Sequence, residues 1–87
     1  MEPLTKKSFK NLTKTEQVVM VINSGKKLLS RHNENYYIQL YFLPNLFTEV
    51  WYEQSKTTIV KIGIPSKEKI IQNYHIDKEK INQLLHN

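Results

Sequence analysis

The first periodic stretch of the chain is a stripe of apolar residues at helical spacing. Its members recur at steps of three and four, which is the period of one helix face packed on a core: Val18, Val21, Ile22, Gly25, Leu28 and Leu29. Thr13 and Glu16 have the spacing of a capping box. The pattern predicts a helix over residues 14–31, with Gly25 on the stripe where a neighbouring strand approaches closely. The alternative is that residues 23–25 end this helix and a second short one follows.

Residues 36–64 switch to aromatic and β-branched side chains, which are typical of strands. Turn residues interrupt this run at Pro44-Asn45 and at Ser55-Lys56. Connections this short join antiparallel neighbours. The segment therefore predicts a three-stranded meander with strands at 36–43, 47–54 and 57–64.

The register of the meander can be predicted from the side chains that it would bury. If Tyr52 opposes Val60, then Val50 opposes Ile62, and Glu49 stays out of the core. Glu53 does so as well, because a one-residue slip would turn both carboxylates inward. The predicted buried face consists of Ile38, Leu40, Phe42, Val50, Tyr52, Val60, Ile62 and Ile64.

The last segment of the chain is helical in pattern but interrupted. Ser66 can cap a helix that ends near Tyr74, and Asp77 can cap a second one. One continuous helix over 66–86 is the competing interpretation. A helix, a meander and one broken or two short helices predict an α+β two-layer sandwich, with the helices packed on one sheet face.

Length and charge narrow the class of protein. Eighty-seven residues without cysteine predict one small domain over residues 13–87, preceded by a flexible arm at 1–12. A domain this small has a thin stability margin, and oligomerisation can widen it. The formal net charge is +5, and the excess is N-terminal. A solvated helix face explains it; the alternative is nucleic-acid contact by Lys6, Lys7, Lys10, Lys14, Lys26, Lys27 and Arg31.

Residues that could carry chemistry are sparse and scattered. No histidine has metal-ligand spacing to another ligand, and no glycine-rich loop is present to hold a phosphate. Glu49 and Glu53 are about 13 Å apart along a strand, and Lys61 should lie opposite and pair with them. The sequence therefore predicts neither a catalytic nor a metal site, and no cofactor.

The outer sheet face is the strongest candidate for a binding surface. Large aromatic side chains inside a charged rim are typical of protein interfaces. We expect a non-enzymatic interaction domain, as a homodimer or with another protein, unless the N-terminal arm covers this face with Leu4 and Phe9. Lacking a membrane span or a secretory signal, the chain is expected in the cytoplasm. The predicted interface residues are Tyr37, Gln39, Tyr41, Phe47, Glu49, Trp51, Glu53 and Lys61.

Overall fold

The computed structural model describes residues 4–55 and 58–85. Within them the chain forms an α+β fold with a four-stranded antiparallel sheet of order β1-β2-β3-β4. Two helices precede the sheet and two follow it. The elements are α1 (Lys6–Lys10), α2 (Lys14–Ser24), β1 (Lys26–Asn33), β2 (Tyr36–Leu43), β3 (Leu46–Glu53), β4 (Thr58–Gly63), α3 (Lys67–Tyr74) and α4 (Lys78–Leu85).

The predicted helix over residues 14–31 is wrong in its second half, because the chain turns extended at Gly25 and continues as β1. Gly25 has φ −83° and ψ 140°, and β1 pairs with β2 over its whole length. A register shift between Lys27 and Leu29 lets Leu28 and Leu29 both be half-buried. The meander therefore has four strands rather than three.

The predicted pairing of the second and third strands with each other is partly confirmed. Val50 lies opposite Ile62 as expected. Tyr52, however, lies opposite Ile59 and not Val60, because the register shifts between Trp51 and Tyr52.

The predicted relation between the first two strands of the meander is wrong by one residue. The Pro44-Asn45 turn pairs Leu43 with Leu46, so even-numbered residues of β2 share a face with odd-numbered residues of β3. Ile38 accordingly lies opposite Trp51. Leu40 lies opposite Glu49, which is buried. The register that kept Glu49 out of the core is not the one the chain adopts.

Helices cover both faces of the sheet. On the first face, α1 and α2 pack through Phe9 and Val21 against Leu43 and Val50. On the second face, the side chains of α3 and α4 pack against Leu40 and Phe47; the helix residues in this cluster are Ile70, Ile71, Tyr74, Ile81 and Leu85. The sheet thus separates two apolar clusters, which differs from the predicted packing of all helices on one face.

The N-terminal segment forms a helix where a loose arm was expected. Thr5 and Ser8 make a reciprocal capping box at the start of α1. Phe9 is fully buried, and Leu4 packs against the same cluster. The segment therefore covers the first face near Leu43 and Val50, rather than the predicted aromatic face as a whole.

The predicted break in the C-terminal helix is confirmed. Ser66 Oγ accepts a hydrogen bond from the Lys69 amide at 3.2 Å, and α3 ends at His75, which is left-handed with φ 55°. Asp77 Oδ1 accepts from the Lys80 amide at 2.8 Å, as the predicted cap of α4 requires. No helix in the described ranges is long and apolar enough to cross a membrane.

Candidate functional site

The eight predicted interface residues do not share one surface. Because the two-residue turn fixes the register of β2 against β3, alternate aromatic residues lie on opposite faces of the sheet. The first face carries Tyr37, Gln39 and Tyr41, and the second face carries Phe47, Glu49, Trp51, Glu53 and Lys61. The proposed aromatic face is thus divided by the sheet itself.

Glu49 is the centre of a polar cluster on the second face. It is only 5 % exposed, and its Oε2 accepts hydrogen bonds from Arg31 Nη2 at 3.4 Å and from the Tyr74 hydroxyl at 2.8 Å. Burial raises the pKa of Tyr74, and the neighbouring Glu49 carboxylate raises it further. Arg31, predicted as a nucleic-acid contact on a helix, instead projects from β1 onto this carboxylate.

Trp51 lies beside this cluster under two cations. The Lys61 ammonium lies 4.2 Å from the centroid of the indole ring, and the Arg31 guanidinium lies 5.4 Å from it. Tyr36 meets the same ring edge-on at 5.7 Å between centroids. The predicted pairing of Lys61 with Glu49 is thus replaced by a cation–π contact with Trp51.

The chemistry available to the Glu49 cluster is limited. Arg31 and Tyr74 both donate to the same carboxylate oxygen of Glu49. Glu53 lies at the strand end, where its Oε1 accepts a hydrogen bond from Ser55 Oγ at 3.4 Å. Across the described ranges there is no group of three or more His, Cys, Asp or Glu that could hold a metal ion. The two hydrogen bonds to Glu49 link β3 to β1 and to α3.

The basic residues that were predicted to contact nucleic acid fall in separate places. Lys6, Lys7 and Lys10 line a groove along α1, and Lys14 donates from Nζ to the Ile59 carbonyl at 2.7 Å. The remaining three belong to β1 rather than to a helix: Lys26, Lys27 and Arg31. They do not form one continuous basic stripe.

The β1 side of the first face is open, and we call it the open half-face: Lys27, Ser30, His32, Tyr37 and Gln39. The three β1 side chains among them are exposed. The His32 and Tyr37 rings are 5.0 Å apart between centroids. The helices α1 and α2 leave this part of the sheet uncovered.

A second exposed surface lies on α2 near the β4 edge of the sheet, and we call it the Ile22 strip: Val19 and Ile22. Together with Val60 on β4, they are the large apolar side chains with substantial exposure in the part of the chain that the structure describes, at 49 % for Val19, 73 % for Ile22 and 40 % for Val60. Ile22 and Ile59 line one small apolar cavity of about 30 Å³ between α2 and the sheet. The predicted helix stripe contained Ile22 as a core residue, so its exposure was not foreseen.

Comparison of the chain with known proteins finds no similarity from which a function could be transferred. No protein-family model, no curated protein and no solved structure matches it. The open half-face and the Ile22 strip are therefore the two candidate functional surfaces.

Proposed function

We propose that this chain is a non-enzymatic protein-interaction domain that self-associates through the Ile22 strip. The observation that carries the proposal is the 73 % exposure of Ile22. Full burial of an isoleucine side chain is favourable by about 1.5–3 kcal/mol relative to leaving it in water. A second copy of the chain that covered this side chain would recover part of that free energy.

The surroundings of Ile22 support a contact surface. Val19 lies one turn earlier on α2, and residues i and i+3 are neighbours on a helix surface. The cavity beneath Ile22 is lined by apolar and tyrosine side chains without a formal charge: Val18, Val21, Ile22, Tyr41, Val50, Tyr52 and Ile59. An apolar patch that protrudes from a helix suits packing against the same patch of a second copy, as in a two-fold symmetric dimer.

The edge of the sheet argues for contact through α2 rather than by pairing of two β4 strands. The register shift opposite Trp51 and Tyr52 interrupts the regular pairing of β4. Lys14 Nζ donates a hydrogen bond to the Ile59 carbonyl, which is then less available to another strand. Bulges and lysines at an edge strand oppose the addition of another strand. The proposed contact is therefore between α2 helices.

Sedimentation velocity of the full chain from low micromolar to millimolar concentration tests this proposal. We expect the mass to rise from monomer to dimer with concentration, and Ile22→Glu to remain a monomer, because a buried unpaired carboxylate is costly. Gln72→Glu, which adds the same charge to the exposed surface of α3, should dimerise like the parent chain. A parent chain that stays monomeric throughout, or an Ile22→Glu variant that still dimerises, would refute self-association through this strip.

A further inference from the structure

The open half-face combines aromatic rings and a cation without acidic neighbours on its strands. Among the described strand residues of the first face there is neither Asp nor Glu, because Glu49 and Glu53 point to the second face. Glu34, in the turn after β1, is the acidic residue nearest in the chain. In the predicted register, Glu49 and Glu53 would lie among the aromatic residues and repel phosphates. In the observed register, both carboxylates lie on the other face of the sheet.

Hydrogen bonds hold the Tyr37 ring in place. The Tyr41 hydroxyl donates to Gln39 Oε1 at 2.7 Å, and Gln39 Nε2 donates to the Tyr37 hydroxyl at 3.3 Å. The pKa of Tyr37 is lowered, first by the Gln39 hydrogen bond and then by Ser30, with Lys27 acting in the same direction. A ring fixed in this way loses little conformational entropy when another ring stacks on it.

Neighbouring rings extend the surface across the strands. His32 lies 5.0 Å and Tyr52 lies 6.4 Å from Tyr37 between centroids. Lys27 shares the face, one strand away from Tyr41. Proteins bind single-stranded nucleic acids with aromatic rings on which the bases stack and with cations that contact the phosphate backbone.

We propose that the open half-face binds single-stranded nucleic acid, with bases stacked on His32 and Tyr37 and a phosphate contacted by Lys27. A flat sheet surface admits unpaired bases, whereas the bases of a duplex are already stacked on one another. The helix α1, which packs on the first face through Phe9, carries Lys6, Lys7 and Lys10, and their charge adds to the general attraction for the strand.

Fluorescence anisotropy of labelled homopyrimidine strands, titrated with the full chain at low salt, tests the stacking part. We expect Tyr37→Leu to weaken binding by about tenfold or more, and Tyr37→Phe to bind within about twofold of the parent chain. The matched control is Tyr36→Leu, which removes the adjacent tyrosine from the opposite face and should leave affinity unchanged. Absence of binding by the parent chain at low salt, or equal losses from Tyr36→Leu and Tyr37→Leu, would overturn the proposal.

The salt dependence of the same titration tests the phosphate contact. Lys27→Gln should reduce the slope of log affinity against log salt by about 0.7, whereas Lys80→Gln, on α4 over the second face, should not. Equal changes in slope would indicate diffuse attraction to the net charge and contradict the site. A duplex of the same length should bind at least about tenfold more weakly; equal affinity would exclude base stacking.

The nucleic-acid site and the dimer contact can fail separately. Ile22→Glu should bind a labelled strand that is too short to reach two sites as the parent chain does, because Ile22 lies on α2 and outside the open half-face. A loss of binding in this variant would overturn the separation of the two surfaces and make binding a property of the dimer.

Discussion

At the scale of single residues, the most consequential feature is the buried carboxylate of Glu49. A charge that leaves water without compensation is strongly destabilising. Arg31 and Tyr74 both donate to the Glu49 carboxylate and replace part of the hydration that it loses on burial. The relative exposures of the Arg31 and Glu49 side chains are 16 % and 7 %, so solvent screens their interaction only partly.

Glu49→Gln should therefore lower the free energy of unfolding by about 2–3 kcal/mol, because it leaves the Arg31 guanidinium without a counter-charge. Urea unfolding at neutral pH measures the loss. Glu53→Gln, at the strand end, serves as the control and should cost less than about 0.5 kcal/mol. Equal costs for the two variants would show that the Arg31–Glu49 pair does not stabilise the fold.

The raised pKa of Tyr74 predicts how the free energy of unfolding changes at alkaline pH. Its pKa is raised in the folded protein, so the folded state holds this proton more tightly than the unfolded chain. Ionisation of Tyr74 therefore makes no contribution to the pH dependence of the free energy of unfolding below about pH 10, the ordinary pKa of tyrosine, and lowers this free energy as the pH rises above it. Urea unfolding across this range should show a smaller fall in Tyr74→Phe, and an identical fall would contradict the assignment.

At the scale of elements, the sequence predicted those features that depend on interactions between residues close together in the chain. The span of β2, the Thr13 capping box of α2 and the break between α3 and α4 agree with the structure. These features depend on alternation within one strand or on a side chain that bonds a nearby amide. They need no information about the rest of the fold.

The strand β1 was not predicted because its sequence favours a helix. Leucine, lysine and arginine are good helix formers, and Leu28 and Leu29 continue the spacing of the α2 stripe. The bulge between Lys27 and Leu29 also breaks the alternation that marks a strand. Pairing with β2 decides the conformation of this segment, and a single-sequence pattern does not contain that pairing.

The wrong register between the first two predicted strands followed from the missing strand. The predicted register keeps Glu49 and Glu53 out of the core, whereas in the structure Glu49 is buried and β1 brings Arg31 to it. A signal was nevertheless present in the sequence. The short Pro44-Asn45 turn pairs Leu43 with Leu46, and this pairing alone separates Tyr37 from Trp51.

Gly25 marks the change from α2 to β1 and tests this part of the fold. A Cβ at Gly25 would lie 2.5 Å from the Val21 carbonyl oxygen and 3.3 Å from Tyr41 Cδ1. Gly25→Ala should therefore lower the free energy of unfolding by about 1–3 kcal/mol through overpacking, measured by urea unfolding. Gly63→Ala, whose Cβ would meet nothing nearer than Trp51 Nε1 at 4.0 Å, should be close to neutral, and equal effects would contradict the close approach.

At the scale of the whole molecule, the two proposed contacts occupy opposite edges of the same sheet face. The helix α2 packs against β2 and β4 and carries the Ile22 strip outward, and β1 is left open beside it. A dimer formed through α2 would therefore leave the open half-face free to bind a strand. Two binding sites of this kind in one dimer would increase the overall affinity for a longer strand.

The open half-face depends on the separation of Tyr37 from Glu49 and Glu53 by the sheet. The single tryptophan of the chain reports this separation, because the structure places its ring 5.7 Å from that of Tyr36 and puts Tyr37 on the other face. A NOESY spectrum of the full chain should show cross-peaks from the Trp51 indole to the Tyr36 ring and none to the Tyr37 ring. Cross-peaks to Tyr37 instead would put it among Glu49 and Glu53 and would contradict both the register and the site built on it.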